Sequence, residues 1–372
     1  MAAVRAGRRS HRRRQGARQR AAIYSERRAC RHLRPGRTHA MEYTEYNVGH
    51  ASGQPKAPEV SVRKPILFED PDFLAPGPTL GDAEVAHFKE QGFIVKRGLK
   101  DLEETFEKAI DYLWSNVPRR ALRRDDPATW LDSPGEKWTE DDIPRVGRLI
   151  HDNWKMRSPG PEGIGTESFL VEGIANHPNM IAMVRAFFDA PIKPPRRVRG
   201  IYAVLPKPSS AVGRLGPHAD YMAAELSAMV LVHEILPHSG GFTLWPGSHL
   251  RLHPHWDTVH GGVISEDRRE GFRQSRDAVL RDITPVEFTG HAGDVVFWHP
   301  RTMHSAGVNY SADGENPTVR LVVPCDYQRD GMTYYDDEEY GPGEKYQWWV
   351  DTRNYREDVP ATADNVWYGW AI

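Results

Sequence analysis

The stretch GPHADYMAAELSAMVLVHEILPHSGGFTLWPGSH, residues 216–249, decides how this chain is read. SAMVLVHE (227–234) and FTLW (242–245) are short β-rich runs parted by Pro, Ser and Gly, the composition of strands joined by tight loops. Similar runs lie on both sides: IYAVL (201–205) before, then ITPVEF (283–288), DVVFW (294–298) and VRLVVP (319–324). No helix-length pattern falls regularly between them, which argues for an antiparallel sandwich or barrel and against a parallel βαβ sheet. No glycine-rich loop stands between a strand and a helix, so nucleotide-binding folds are unsupported.

Upstream the period changes. Leu102, Phe106, Ile110 and Leu113 fall on one face of an amphipathic helix over 101–115. Val85 and Phe88 mark a shorter helix before the strand GFIVKRG (92–98). His177-Pro178 opens another helix, with Ile181, Val184 and Phe188 as its apolar stripe. The expected organisation is an Arg-rich extension (1–40), a polar arm (41–80), a β domain with N-terminal helices (81–330) and an aromatic C-terminal tail (331–372). Trp348, Trp349, Trp367 and Trp370 of that tail are read as packing onto the body.

The 372 residues carry a formal net charge of −2, which hides an asymmetry. Residues 1–40 hold 13 Arg, no Lys and one acid, whereas the other 332 hold 36 basic and 50 acidic side chains. The leader has no apolar period, so it is read as disordered. The favoured reading is that translation begins at Met41, with an organelle transit peptide or a nucleic-acid-binding arm as alternatives. No apolar run is long enough to span a bilayer. Two cysteines, Cys30 and Cys325, exclude a disulfide framework and a cysteine zinc cluster. A cytoplasmic globular protein with no membrane partner, and with a nucleic-acid partner disfavoured, is the expectation.

The chemistry lies in two places. His218 and Asp220, two apart at a strand edge, point to one face and offer an imidazole and a carboxylate to a divalent metal. GDVVFWHPRTMHSAGVN (293–309) supplies a further histidine after a turn, His304. His299 competes with it, but ends the strand and precedes Pro300. Two histidines and one carboxylate on one side of a metal form the facial triad of non-haem iron oxygenases. A second H-x-D, His255-Trp256-Asp257, sits in a Pro-containing loop without flanking sheet and is the weaker candidate.

Taken together, His218-x-Asp220, GGFTLWPGSH (240–249), GDVVFWHPRTMHSAGVN and the early GFIVKRG strand resemble the phytanoyl-CoA dioxygenase family of Fe(II)/2-oxoglutarate oxygenases, over roughly residues 80–325. The resemblance implies a double-stranded β-helix, a jelly-roll of the cupin-like kind, with Fe(II) on His218, Asp220 and His304 and 2-oxoglutarate and O2 as co-substrates. It also implies that Arg320 binds the distal carboxylate of 2-oxoglutarate, since the planar guanidinium matches a carboxylate bidentately. The 16 residues from His304 to Arg320 are accommodated by SADGEN (311–316) as a longer hairpin. Where relatives often carry Trp and Ser, this chain has Met229 and Ala306. Because Asp220 is present, hydroxylation of an aliphatic carbon, with succinate and CO2 released, is preferred to halogenation. Two alternatives remain: a cupin-type metalloenzyme without 2-oxoglutarate, for which HADYMAAE (218–225) would supply Glu225, and a non-catalytic binding barrel.

Overall fold

In the computed structural model the described residues are 47–48, 62–131, 148–150, 153–156, 163–211, 213–220, 224–255, 266–330 and 362–372. They belong to one unit, Tyr43–Ile372. The Arg-rich leader, Trp256-Asp257 of the second H-x-D, and Trp348 and Trp349 lie outside the described residues.

Thirteen strands are described: β1 (Asn47–Val48), β2 (Ile66–Leu67), β3 (Phe93–Lys96), β4 (Arg148–Ile150), β5 (Asn153–Met156), β6 (Ile201–Val204), β7 (Arg214–Leu215), β8 (Leu226–Leu231), β9 (Phe242–Leu244), β10 (Val286–Phe288), β11 (Val295–Trp298), β12 (His304–Ala306) and β13 (Arg320–Tyr327). Seven of them form an antiparallel sheet in the order β3-β11-β8-β13-β6-β5-β4. Four more form a second sheet, β12-β9-β10-β2, in which only β2 runs parallel to its neighbour. The result is an open jelly-roll sandwich with flanking helices; among the described residues neither sheet closes into a barrel.

Period-two alternation explains how the large sheet serves two cores. Phe93 and Val95, Met229 and Leu231, Val296 and Trp298, Tyr202 and Val322 face the smaller sheet and meet Phe242, Leu244 and Phe288 there. Their neighbours Ile94, Ala228, Val230, Val295, Phe297, Ile201, Leu321, Val323 and Cys325 face the helices. Such near-continuous apolar runs are what strands buried on both faces require.

The helix layer comprises α1 (Asp82–Gln91), α2 (Glu103–Asn116) and α3 (Pro178–Phe187). On α2 the buried stripe is Phe106, Ala109 and Leu113, with Leu102 at the N-cap and Ile110 at the edge. On α3 it is Met180, Met183, Val184 and Phe187; Ile181 sits at the margin, and Phe188 is buried just past the helix end. The stripe expected from Ile181, Val184 and Phe188 is thus rotated by a residue, because the unbranched methionines fill the sheet-facing gap. On α1 the surprise is Glu84, which turns inward with Phe88 to pair with the buried Lys96 at 2.6 Å.

Two further helices, α4 (Ser248–Leu252) and the 17-residue α5 (Glu266–Asp282), flank the small sheet. Val279 and Leu280 of α5 pack with Trp245, Leu252 and Met303 in a third core. The link from β12 to β13 departs from expectation. Those strands belong to different sheets, so residues 307–319 form a crossover with a short turn of helix at Ser311–Asp313, not a longer hairpin. Asn309 ties this crossover down, its amide donating to the carbonyls of Val204 and Thr318.

Candidate metal centre and co-substrate pocket

The segment carrying His218 and Asp220 leaves β7 and runs antiparallel beside β12 without forming a regular strand. His218 and His304 exchange backbone hydrogen bonds of 3.0 and 2.8 Å, and the Asp220 amide donates to Pro300 at 2.9 Å. These three bonds place two residues remote in sequence side by side. One nitrogen of each imidazole and one oxygen of Asp220 all lie within 4.8 Å of one another. His218 Nε2 stands 4.0 Å from Asp220 Oδ1, and His304 Nε2 stands 3.6 Å from Oδ2.

Both imidazoles are held in the tautomer a metal needs. Nδ1 of His218 donates to the Gly216 carbonyl at 2.7 Å, and Nδ1 of His304 donates to that of Thr302 at 2.8 Å. With Nδ1 protonated in each ring, Nε2 keeps its lone pair and faces the carboxylate. Burial opposes ionisation of Asp220, but the Arg199 guanidinium beside it overcomes this and holds the carboxyl well below the usual range. Two neutral nitrogens and one carboxylate oxygen fit a divalent iron with open positions.

Arg199 has no counterpart in the sequence expectations. It precedes β6 and should share the helix side with Ile201 and Ala203, yet its side chain contacts Asp220, Asp326, Ser227 and Trp298 on the inner side. Gly200 accounts for this: its φ of 115° breaks the alternation, in a region that a side chain would strain. Arg301, fully buried in the HPRTMH turn, was also passed over; its Nη1 donates to the backbone carbonyl of Asp220.

Arg320 begins β13 on the inner face, 2% exposed, and pairs in register with Val204. Its Nε and Nη2 have no hydrogen-bond partner among the described residues. Burial pushes the guanidinium down to about 10, partly countered by the charge of Glu287. Glu287 itself is turned to the loop before β9, accepting from the amides of Gly241 and His238. A buried guanidinium whose Nε and Nη2 meet no hydrogen-bonded anion is costly.

The competing histidines are elsewhere. His299 stacks on Trp370 at 5.6 Å and lies beside His249, His253 and Trp367, under the C-terminal residues. His255 meets Ser275 and Phe272 of α5. Glu225, which the cupin alternative needs as a ligand, is bound instead to Arg329 at 2.7 Å. Met229 fills the inner face between Val296 and Pro324, and Ala306 ends β12 opposite Phe242.

The family model for phytanoyl-CoA dioxygenase matches residues 88–315. The chain belongs to that family. Its general class is therefore that of the Fe(II)/2-oxoglutarate-dependent oxygenases, and His218, Asp220 and His304 form a group that could hold a metal ion. No curated protein matches the chain. Among solved structures, EctD from S. alaskensis with 2-oxoglutarate and 5-hydroxyectoine is 17% identical, covering 89% of this chain and 98% of its own, with a TM-score of 0.44. SnoK, a non-haem α-ketoglutarate-dependent carbocyclase from nogalamycin biosynthesis, is 18% identical over 70% of this chain and 89% of its own, with a TM-score of 0.42. HygX from Streptomyces hygroscopicus with iron bound is 15% identical over 75% and 98%, at 0.37. At those scores the weight rests on the family match and on the geometry. Among the described residues no helix is long and apolar enough to cross a membrane.

Proposed function

We propose that this family member holds one Fe(II) on His218, Asp220 and His304, takes 2-oxoglutarate with its distal carboxylate on Arg320, and hydroxylates an aliphatic carbon of a small-molecule or acyl substrate, releasing succinate and CO2. The iron, when bound, supplies the O2-activating redox chemistry that no side chain can. The chain's own residues do the rest. Gly216 and Thr302 carbonyls orient the two imidazoles, Arg301 and Pro300 hold the backbone of Asp220, and the apolar inner wall of Phe242, Trp298 and Met229 excludes water.

The observation that carries this reading is Arg320. A metal triad alone would serve a cupin-type enzyme equally well, and a carboxylate-bearing co-substrate would supply the partner that Nε and Nη2 of the buried Arg320 lack, which supports the 2-oxoglutarate reading. The engagement of Glu225 with Arg329 weighs against the cupin alternative as well. The test is anaerobic titration of the Fe(II)-loaded protein with 2-oxoglutarate, followed by the metal-to-ligand charge-transfer absorbance. Pools of small molecules are then screened for stabilisation that requires 2-oxoglutarate, and hits are assayed for hydroxylated product and succinate in equal amounts. Absence of the absorbance band overturns the co-substrate assignment, and a hit yielding a product without added oxygen overturns hydroxylation.

A further inference from the structure

Resting on that metal site, we infer that Arg199 is a positioning residue: by occupying Oδ2 of Asp220 it presents Oδ1 as the single ligating oxygen. The carboxylate then contributes one bond and leaves the other positions to co-substrate and O2.

The hydrogen accounting leads there. Arg199 donates Nε to Asp326 Oδ2 at 2.8 Å and Nη2 to Asp326 Oδ1 at 2.5 Å, a two-pronged contact that would satisfy an ordinary buried ion pair by itself. The second hydrogen of Nη2 goes to Asp220 Oδ2 at 2.8 Å. Ser227 Oγ lies 3.2 Å from the same nitrogen and turns its own proton to Asp326 at 2.8 Å. The guanidinium also lies 5.7 Å from the Trp298 ring, and the Arg199 amide is fixed on the Pro324 carbonyl. The cation is thus anchored to β13 and aimed at β7's extension. On the receiving side the backbone of Asp220 is held from Pro300 and Arg301. With main chain and Oδ2 both fixed, Oδ1 is the oxygen that accepts no hydrogen bond among the described residues, and it faces His218 Nε2.

The charges are arranged for the same end. Arg199 alone would neutralise Asp220 and weaken it as a donor to a cation. Asp326 supplies a second negative charge, so the group of one arginine and two aspartates keeps the net charge of a lone carboxylate. Positioning and bulk electrostatics therefore predict opposite signs for one substitution. Removing Arg199 leaves the site more negative, which by charge alone tightens a divalent cation. If Arg199 positions Asp220, removing it weakens the metal instead, in the range of about 10- to 100-fold seen for groups that orient metal ligands.

The experiment measures Fe(II) dissociation constants anaerobically by competition with a chelating dye, with no turnover, for wild type, Arg199→Ala, Arg199→Lys and the double variant Arg199→Ala/Asp326→Asn. The double variant removes the acid that the single one leaves buried without a cation. Circular dichroism and thermal melting establish that each is folded. The expected result is about 10- to 100-fold weaker Fe(II) in both alanine variants. Arg199→Lys should recover part of the loss, since an ammonium can hold one oxygen but not the fork. A shifted charge-transfer band with 2-oxoglutarate at saturating iron should accompany the loss, a readout that mere destabilisation would not move. Unchanged or tighter Fe(II) binding by whichever of these variants folds overturns the inference. A wild-type protein that binds no Fe(II) overturns the metal site itself, and this inference with it.

Discussion

Replacing Arg320 with methionine separates what the guanidinium does for the ligand from what it costs the protein. A guanidinium held at about 10, against an ordinary value above 12, carries a burial cost on the order of 3 kcal/mol. At neutral pH it is protonated both folded and unfolded, so that cost is fully present. Arg320→Met keeps the length of the side chain, removes the charge, and leaves Val204 and Val322 packed as before. Ligand-free Arg320→Met should therefore melt no lower than wild type, and about a few degrees higher. The opposite holds once 2-oxoglutarate is added. Removing one partner of a buried charge-assisted pair costs about 2–5 kcal/mol of binding. At about 1.4 kcal/mol per tenfold, that is on the order of 30- to several-thousand-fold in affinity. At a 2-oxoglutarate concentration 100 times the wild-type dissociation constant, wild type gains about 2.7 kcal/mol of stability, and the variant gains from about 0.9 kcal/mol at the 30-fold end to almost none at the other. Two assays read this out: thermal melting with and without 2-oxoglutarate, and anaerobic titration of the Fe(II) protein by its charge-transfer absorbance. An unchanged dissociation constant would place the carboxylate anchor elsewhere. A ligand-free variant that melts much lower would show that Arg320 has an internal counterion and is a structural residue.

Three further outcomes follow from particular residues. His304→Ala should lose its iron on anaerobic reconstitution and desalting, whereas His255→Ala, altered at the α5 contact, should retain it; metal content decides, and the reverse pattern would reject the triad. Burial, then the charge of His253, lower the His249 imidazole from 6.5 to about 4, with its bond to the Lys89 carbonyl opposing; between those pH values the unfolded chain holds a proton that the folded one lacks, so this residue removes about 1.4 kcal/mol per pH unit as pH falls. His249→Phe should flatten the slope of denaturation midpoints from pH 6.5 to 4, and an unaltered slope would show that His249 is not the group responsible. Glu84→Gln should cost about 3–5 kcal/mol in urea denaturation by leaving Lys96 buried without its anion, and Glu84→Gln/Lys96→Met should recover most of that; equal losses in both would show that the pair's charges do not matter.

The fold was legible because its signal is local. Each run read as a strand coincides with one over at least half of its length, and the alternation that divides Val295 and Phe297 from Val296 and Trp298 is written in the sequence. Limits were less legible: β13 extends to Tyr327, past Pro324, because its partner β8 continues the ladder there. The helix α5 leaves little trace in the apolar pattern, because few apolar residues, Phe272, Val279 and Leu280 among them, stand between polar and charged ones. The crossover after β12 was misread as a hairpin for a related reason. Sheet membership is decided by which strand offers a free edge, and β9 offers one to β12 while β13 is taken up between β8 and β6.

The same distinction divides the site. The structure brings His218, Asp220 and His304 together as a group that could hold a metal, and they were legible because a metal constrains ligand type and short spacing; Arg320 entered only through the resemblance to the family's motif. Arg199 was not legible. Its role depends on which side of the sheet it faces, and period-two counting from Ile201 and Ala203 assigns it to the helices. One glycine at a positive φ reverses that assignment, and glycines at such angles leave no mark in the pattern of apolar residues. Arg199 then becomes intelligible only through Asp326, which lies 127 residues further on and is brought beside it by the pairing of β13 with β6 and β8. The ligands of such a site are therefore readable from chemistry, whereas the groups that aim them are readable only from topology. Gly200 tests that division directly: a side chain there would strain the turn that swings Arg199 inward. On the proposed site, Gly200→Val should therefore weaken Fe(II) binding as Arg199→Ala does, read by the same chelator competition. Unchanged binding in a folded Gly200→Val protein would refute that reasoning.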